Sequence, residues 1–280
     1  MIDLHSHTTA SDGYLDAKTL VREAWTAGIR TLAVTDHDTV AAIGLARDAA
    51  TAFGLTLVNG IEITAIDDGR DIHVLGYFFA PDAPALARCL AAQREARRTR
   101  LRVMAERLAE CGVAVNIEGL LADTPAERAL GRPALAEALV AEGHVRSARD
   151  AFDTWIGDGR PAWVRREGPS VREVVGVLHD AGGLASLAHP VLYRRDDEIT
   201  RWRDEGLDAI EAYHSEHEPA DVERYCALAG RLGMLVTGGS DFHGERPGRT
   251  TRNRPRVLGR VSLPADAFGR LLDARPKAQR

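Results

Sequence analysis

Three cysteines, Cys89, Cys111 and Cys226, are all that the 280 residues contain. They are odd in number, far apart and outside any Cys-x-x-Cys pattern, so they read as reduced thiols of a cytoplasmic protein rather than as a disulfide framework. No apolar run approaches the ~20 residues that a membrane helix needs. With candidate ligands already at His5, no cleavable leader is expected. A Walker loop, a Gly-x-Ser-x-Gly elbow and a Rossmann fingerprint are all missing, which sets aside nucleotide kinases, serine hydrolases and dehydrogenases. A formal net charge of −5 argues against wholesale wrapping of nucleic acid, although local basic stretches can still grip phosphate. Internal repeats and low-complexity tracts are absent too. What remains is 45% hydrophobic content, enough for a sizeable core in one or two domains.

What the chain does have is histidine and carboxylate beside strands. Ile2 and Leu4 alternate with Asp3 in strand fashion, and the run delivers His5, His7 and Asp12 into a loop. Side chains on a strand repeat every second residue, so His5 and His7 point to one side. Alone, a His-x-His is an ordinary polar strand end, but this pair has company. Asp36-His37-Asp38, Glu62, His73, His189-Pro190 and Asp241-Phe242-His243 accompany the apolar runs 31–35, 55–61, 72–79, 184–188 and 235–239, and are expected just past their ends. Charged groups so near buried strands need partners or metals.

The spacing predicts helices over 16–27 and 40–53 and, with the strands, a parallel sheet or barrel. From Pro81 to about Arg165 the rhythm turns helical, with an arginine-rich helix over 84–111 and shorter ones near Glu118, over 133–142 and over 147–156. This stretch, 81–165, reads as a helical insertion acting as a substrate-binding lid on a barrel formed by 1–80 and 166–280. The strand and helix alternation then resumes, giving seven strand candidates and a last helix over 264–274 that should cover the barrel floor.

The donors His5, His7, Asp12, His37, Glu62, His73, His189, Asp241 and His243 are too many for one tetrahedral ion, which takes about four. They suit two or three ions sharing bridging groups, and imidazole with carboxylate fits Mn²⁺, Fe²⁺ or Zn²⁺. Ions held ~3.5–4 Å apart are the usual apparatus of phosphate-ester hydrolysis.

Taken in order, His5-Ser-His7, Asp12, Asp36-His37, Glu62, His73, Ala188-His189-Pro190 and Ser240-Asp241-Phe242-His243 resemble the motifs of the PHP (polymerase and histidinol phosphatase) family of metal-dependent phosphoesterases. The resemblance covers nearly the whole chain. It implies a distorted (β/α)7 barrel with a trinuclear metal centre at the C-terminal ends of the strands. His5, His7, Glu62 and Asp241 would hold one ion, Glu62, His73 and His189 a second, and Asp12, His37 and His243 the third, with Glu62 bridging. Asp241 and Glu62 would thus stand at the reacting centre, where a metal-bridging hydroxide attacks phosphorus.

Within the family the chain is most similar to the 3′,5′-nucleotide bisphosphate phosphatase and 5′-to-3′ exoribonuclease subgroup, through Arg94-Glu-Ala-Arg97-x-x-Arg100-x-Arg102 and Gly131-Arg132-Pro133. That likeness implies a small phosphorylated substrate, foremost the 3′-phosphate of a nucleoside 3′,5′-bisphosphate. The alternatives are 5′-3′ cleavage of short single-stranded RNA or DNA, or dephosphorylation of nucleoside monophosphates or cyclic phosphates. A non-catalytic metal-binding module ranks last, and no obligate protein partner is implied.

Arg97 and Arg100 lie on neighbouring helical turns and, with Arg132 and Arg194, are the candidate phosphate grips. Leu192 stands where relatives carry an arginine. His214 and His217 follow a strand and are candidates to protonate the leaving oxygen or hold the substrate. His179 precedes Gly182-Gly183 at a helix C-terminus and reads as structural. Arg246, Arg249, Arg252, Arg254, Arg256 and Arg260 form a run that reads mainly as a solvated loop, with some members able to reach an anion.

Overall fold

A computed structural model describes residues 1–244 and 256–276. Arg246, Arg249, Arg252 and Arg254 lie outside the described residues. Seven strands, β1 (Ile2–Asp3), β2 (Thr31–Val34), β3 (Thr56–Asp67), β4 (Arg70–Tyr77), β5 (Leu184–Leu187), β6 (Ala209–His214) and β7 (Leu235–Gly239), pair in sequence order. The sheet nearly closes: Leu4 N donates to Gly238 O at 3.1 Å, Asp241 N to His5 O at 2.8 Å and His7 N to Phe242 O at 2.8 Å. This is the distorted seven-stranded barrel that the family resemblance implies.

The expectation of all-parallel strands fails at one place. β4 runs antiparallel to both β3 and β5, whereas the remaining pairs are parallel. Asp67 pairs with Arg70, so only Asp68 and Gly69 make the turn. Their φ values of 49° and 73° belong to the mirror-image turn whose twist matches that of the flanking strands. A two-residue turn has no room for a crossover helix. As a result Glu62 and His73 sit within long strands rather than past their ends.

Helices cover the outside. Asp16 caps α1 (Ala17–Thr26) by accepting from Lys18 N and Thr19 N, and Gly54, at φ 64°, closes α2 (Ile43–Phe53). Residues 81–165, expected to form a helical insertion, contain α3 (Pro84–Glu110), α4 (Ile117–Ala122), α5 (Arg132–Ala141) and α6 (Ala148–Ala151). They have an apolar cluster of their own, built from Leu101, Met104, Leu108, Leu121, Leu135 and Ile156 among others. Leu86 and Leu90, in the first turns of α3, instead join Ile63, Val174 and Leu178 in the barrel core. One helix is therefore anchored in both clusters.

Ser170 and Glu173 form a reciprocal capping box at α7 (Val171–Asp180), after which α8 (Ile199–Asp204) and α9 (Pro219–Leu232) follow. In α10 (Ala265–Ala274), Ala267 and Leu271 pack against Leu4, Ala33, Leu75 and Tyr77, closing one end of the barrel. No described helix is long and apolar enough to cross a membrane.

Candidate metal centre

The long β3 strand carries Glu62 to the middle of a cluster of imidazoles, where its side chain is 1% exposed. Its Oε1 lies 2.8 Å from His73 Nδ1 and 3.0 Å from His189 Nε2. Its Oε2 lies 3.4 Å from His5 Nε2, 3.2 Å from His7 Nε2 and 3.2 Å from His37 Nδ1. Asp241, at φ 53° just beyond β7, forms a second hub. Its Oδ1 is 3.4 Å from His5 Nε2, 3.2 Å from His7 Nε2 and 3.4 Å from His243 Nδ1. Asp12 completes the arrangement, 3.3 Å from His243 Nε2 and 3.8 Å from both His37 Nε2 and His7 Nδ1.

These donors fit divalent cations. Both ring nitrogens of His7 and Nδ1 of His37 are buried without a hydrogen-bond partner, although carboxylate oxygens lie 3.2 Å from His7 Nε2 and His37 Nδ1 and 3.8 Å from His7 Nδ1. Their lone pairs converge on shared space instead of on each other's hydrogens, as ligands do. Charge tells the same story. Burial opposes a charge on His5, yet Glu211, Asp241 and Glu62 outweigh it and hold the imidazole well above its ordinary range. Burial likewise opposes charge on His7, but the nearby Asp241 and Glu62 carboxylates hold it at about 10. Glu62 stays well below the usual carboxylate range despite burial, because His37, His73 and His5 surround it. Burial prevails at His37 and His189, which fall to about 3 and about 4. The pocket as a whole favours added positive charge.

Groups around the ligands fix their orientation. Glu211, fully buried in β6, accepts from His5 Nδ1 at 2.9 Å and from His189 N at 2.7 Å. Donation from Nδ1 leaves His5 Nε2 free to face a cation. The sequence reading missed Glu211, whose signal was a lone carboxylate inside the apolar stretch 209–213. Asp36 accepts from Thr8 N at 2.8 Å and from the Thr8 and Ser11 hydroxyls at 2.6 Å each, bracing the loop that bears Asp12. His214 Nδ1 accepts from Glu216 N at 3.1 Å, so a neutral ring carries its hydrogen on Nε2, 3.3 Å from Asp241 Oδ2. His217 lies behind it, its Nδ1 donating to Ala212 O at 2.8 Å and its ring 5.1 Å from Tyr225. Of the arginine run, Arg256 pairs with Asp241 and Arg260 is exposed.

Beside the cluster opens a cavity of about 610 Å³, bordered by Ile72 and Tyr193. The Tyr193 hydroxyl accepts from His73 N at 2.8 Å, and its ring lies 5.5 Å from His189. Six arginines line it: Arg70, Arg100, Arg132, Arg165, Arg166 and Arg195. Arg100 and Arg132, both singled out by the sequence, are therefore here. Arg132 is held by Asp158 at 2.5 Å. Arg100 donates to Val164 O at 2.9 Å and has no ion-pair partner among the described residues. Burial, then the charge of neighbouring Arg132, pushes it down to about 10, a setting that an anion would relieve. Arg97 and Arg194 do not line the cavity. Arg97 Nε is bound to Asp38 Oδ2 at 2.7 Å, and Arg194 is exposed while its neighbour Arg195 turns inward.

Residues 3–130 match the PHP domain. Over 248 residues the chain is 35% identical to the 5′-3′ exoribonuclease Rnm of Salmonella typhimurium, spanning 86% of this chain and 84% of that one. The chain belongs to the PHP family. Other PHP relatives include the phosphoribosyl 1,2-cyclic phosphate 1,2-diphosphodiesterase of Eggerthella lenta, 35% identical over 87% of this chain and 94% of its own. The 3′,5′-nucleoside bisphosphate phosphatase of Chromobacterium violaceum is 31% identical over 86% of this chain and 87% of its own. A structure from Bifidobacterium adolescentis, described as a metal-dependent phosphoesterase, superposes with a TM-score of 0.84 at 33% identity, over 97% of this chain and 95% of that one. As a PHP protein the chain is a metal-dependent hydrolase of phosphate esters.

Its ligand sets overlap more than the family pattern implies. His7 joins Asp12, His37 and His243 in one group, and joins His5 and Asp241 in another. His37 also stands with Glu62 and His73.

Proposed function

We propose that this PHP protein removes the 3′-phosphate of a nucleoside 3′,5′-bisphosphate, leaving the 5′-monophosphate. The observation that carries the reading is the arginine-lined cavity bordered by Tyr193, whose hydroxyl meets His73 N and whose ring lies beside His189. At about 610 Å³ it has the volume of a small-molecule site. A substrate with one phosphate at the centre and another among Arg100, Arg132 and Arg165 uses both features. Trp163 on the same wall offers an aromatic face to a base.

We assign the metal centre to His5, His7, Asp12, His37, Glu62, His73, His189, Asp241 and His243, with two or three ions of Mn²⁺, Fe²⁺ or Zn²⁺. Such ions neutralise phosphoryl oxygens and supply a nucleophile at neutral pH. The protein side chains divide the remaining work. Glu211 holds His5 and the backbone of His189, His214 orients Asp241, and the arginines select a second anion. His217, a layer behind, acts through His214. Residues 81–165 serve as the lid that brings Arg100 and Arg132 to the substrate.

A second reading, 5′-3′ cleavage of short RNA or DNA, is supported by another cavity. It measures about 170 Å³ and lies against Asp12, Ser11 and Arg128. The rings of His73, His37, His7 and His243 follow one another with centroids 5.0, 4.7 and 4.2 Å apart; His73 N meets Tyr193 of the large cavity, and His243 Nε2 lies 3.3 Å from Asp12 of the small one. A strand passing the centre needs both.

The test offers Mn²⁺-loaded protein adenosine 3′,5′-bisphosphate, AMP and a 5′-phosphorylated RNA oligomer side by side. Phosphate and AMP from the first, with little attack on the second, are expected. Stepwise mononucleotides from the oligomer, with the bisphosphate untouched, would overturn the first reading in favour of the second.

A further inference from the structure

His37 sits between two buried carboxylates, and the one after it is held by both ends of the insertion. Asp38 has no exposed surface and a backbone φ of 48°, in the left-handed region that a non-glycine residue keeps only when its surroundings impose it. Asp38 N donates to Glu62 O at 2.9 Å, and Asp38 Oδ1 accepts from Thr64 N at 3.0 Å. Its Oδ2 accepts from Arg97 Nε at 2.7 Å and from an Arg166 Nη at 3.0 Å. Arg94 donates to its carbonyl oxygen at 3.2 Å. Arg94 and Arg97 belong to the first half of α3, and Arg166 to the irregular segment 163–170 that leads back to the barrel. Gln93 ties the set together, donating to Thr64 O at 2.6 Å and accepting from Arg166 at 3.4 Å.

We infer that Asp38 is a positioning residue of the metal centre, and that Arg97 and Arg166 clamp it so that the insertion fixes where His37 points. The clamp touches no candidate ligand side chain. Its effect passes through the backbone of residues 37 and 38 to the ring that faces Glu62 and Asp12. This gives Arg97 a task other than gripping substrate, and it holds whichever ester is cleaved. Outer groups that orient metal ligands typically change metal affinity by about 10–100-fold, and a clamp of this kind belongs with them.

The experiment measures Mn²⁺ alone binding to the full chain, by calorimetry and by metal content after gel filtration. The wild type is compared with Asp38→Asn, Arg97→Ala and Arg97→Lys, each checked for native circular dichroism. Asp38→Asn is expected to retain one Mn²⁺ fewer per chain, or to bind it about 10–100-fold more weakly. Arg97→Ala should weaken the same ion, and Arg97→Lys should restore most of the loss, which a general loosening of the fold would not produce. If Asp38→Asn does not fold, the two Arg97 variants decide the matter. Unchanged Mn²⁺ count and affinity in folded Asp38→Asn, or in Arg97→Ala, would overturn the inference.

Discussion

At the metal centre, donors come from strands and strand ends, and several ring nitrogens have no hydrogen-bond partner. In the neighbouring cavity, three of the lining arginines already have carboxylates: Arg132 has Asp158, Arg166 has Asp38, and Arg195 has Asp67. Arg100 does not. One region holds ring nitrogens that no hydrogen bond satisfies, and in the other, half of the lining arginines are held by carboxylates. The lesson is that residue type alone does not mark a binding group. What marks it is a charge or lone pair that the fold leaves unanswered.

Five substitutions sharpen that contrast. The largest effect belongs to Glu62, which faces five imidazoles with two oxygens. Glu62→Gln should cost more than the ~10–100-fold typical of outer groups, seen as lost Mn²⁺ and lost turnover in a metal titration followed by an assay. Glu211→Gln keeps the shape but weakens the hold on His5 Nδ1, so Mn²⁺ affinity should fall by about 10–100-fold with the fold intact by circular dichroism.

Arg100→Ala comes next. A hydrogen bond to a charged group is worth ~1.5–3 kcal/mol, so KM for a bisphosphate should rise roughly 10–100-fold with kcat nearly unchanged. The same change at exposed Arg194 should leave KM within about twofold. Equal losses at both positions would erase the distinction between an arginine that lines the cavity and one that does not.

The smallest effect concerns His179, whose Nε2 lies 2.7 Å from Asp208 Oδ2. The hydrogen bond to Asp208 raises its pKa above the ordinary imidazole value. A raised folded pKa stabilises the protein below the unfolded value, and that stability disappears as pH rises through the folded one. His179→Ala should therefore lower the thermal midpoint at pH 5.5 and leave it unchanged well above the raised pKa. The side chain is 40% exposed, so screening limits the effect to about 0.5 kcal/mol.

Much of the barrel was legible because its signals are local. Strand runs, the Asp16 cap, Gly54 and the helices of the insertion follow from a few adjacent residues. The antiparallel β4 was legible too, in Asp68-Gly69, but two apolar runs bracketing Glu62 obscured a single long strand. Histidines such as His5 and His7 declare themselves by spacing. Glu211 does not, since one carboxylate in an apolar strand has meaning only once His5 and His189 are beside it. Arg97 illustrates the same limit from the other side: its helix position is local, but its partner Asp38 is 59 residues away. Arg195 rather than Arg194 faces the cavity because the chain there turns through a positive φ of 54° at Arg194, which no pattern in the sequence announces.

The most direct measurement is anomalous diffraction at the manganese edge from crystals grown with Mn²⁺. Two or three peaks, with the two oxygens of Glu62 ligating different ions, are the expected result. A peak pattern that leaves Glu62 without an ion, or a single ion confined to Asp12 and His243, would contradict the account.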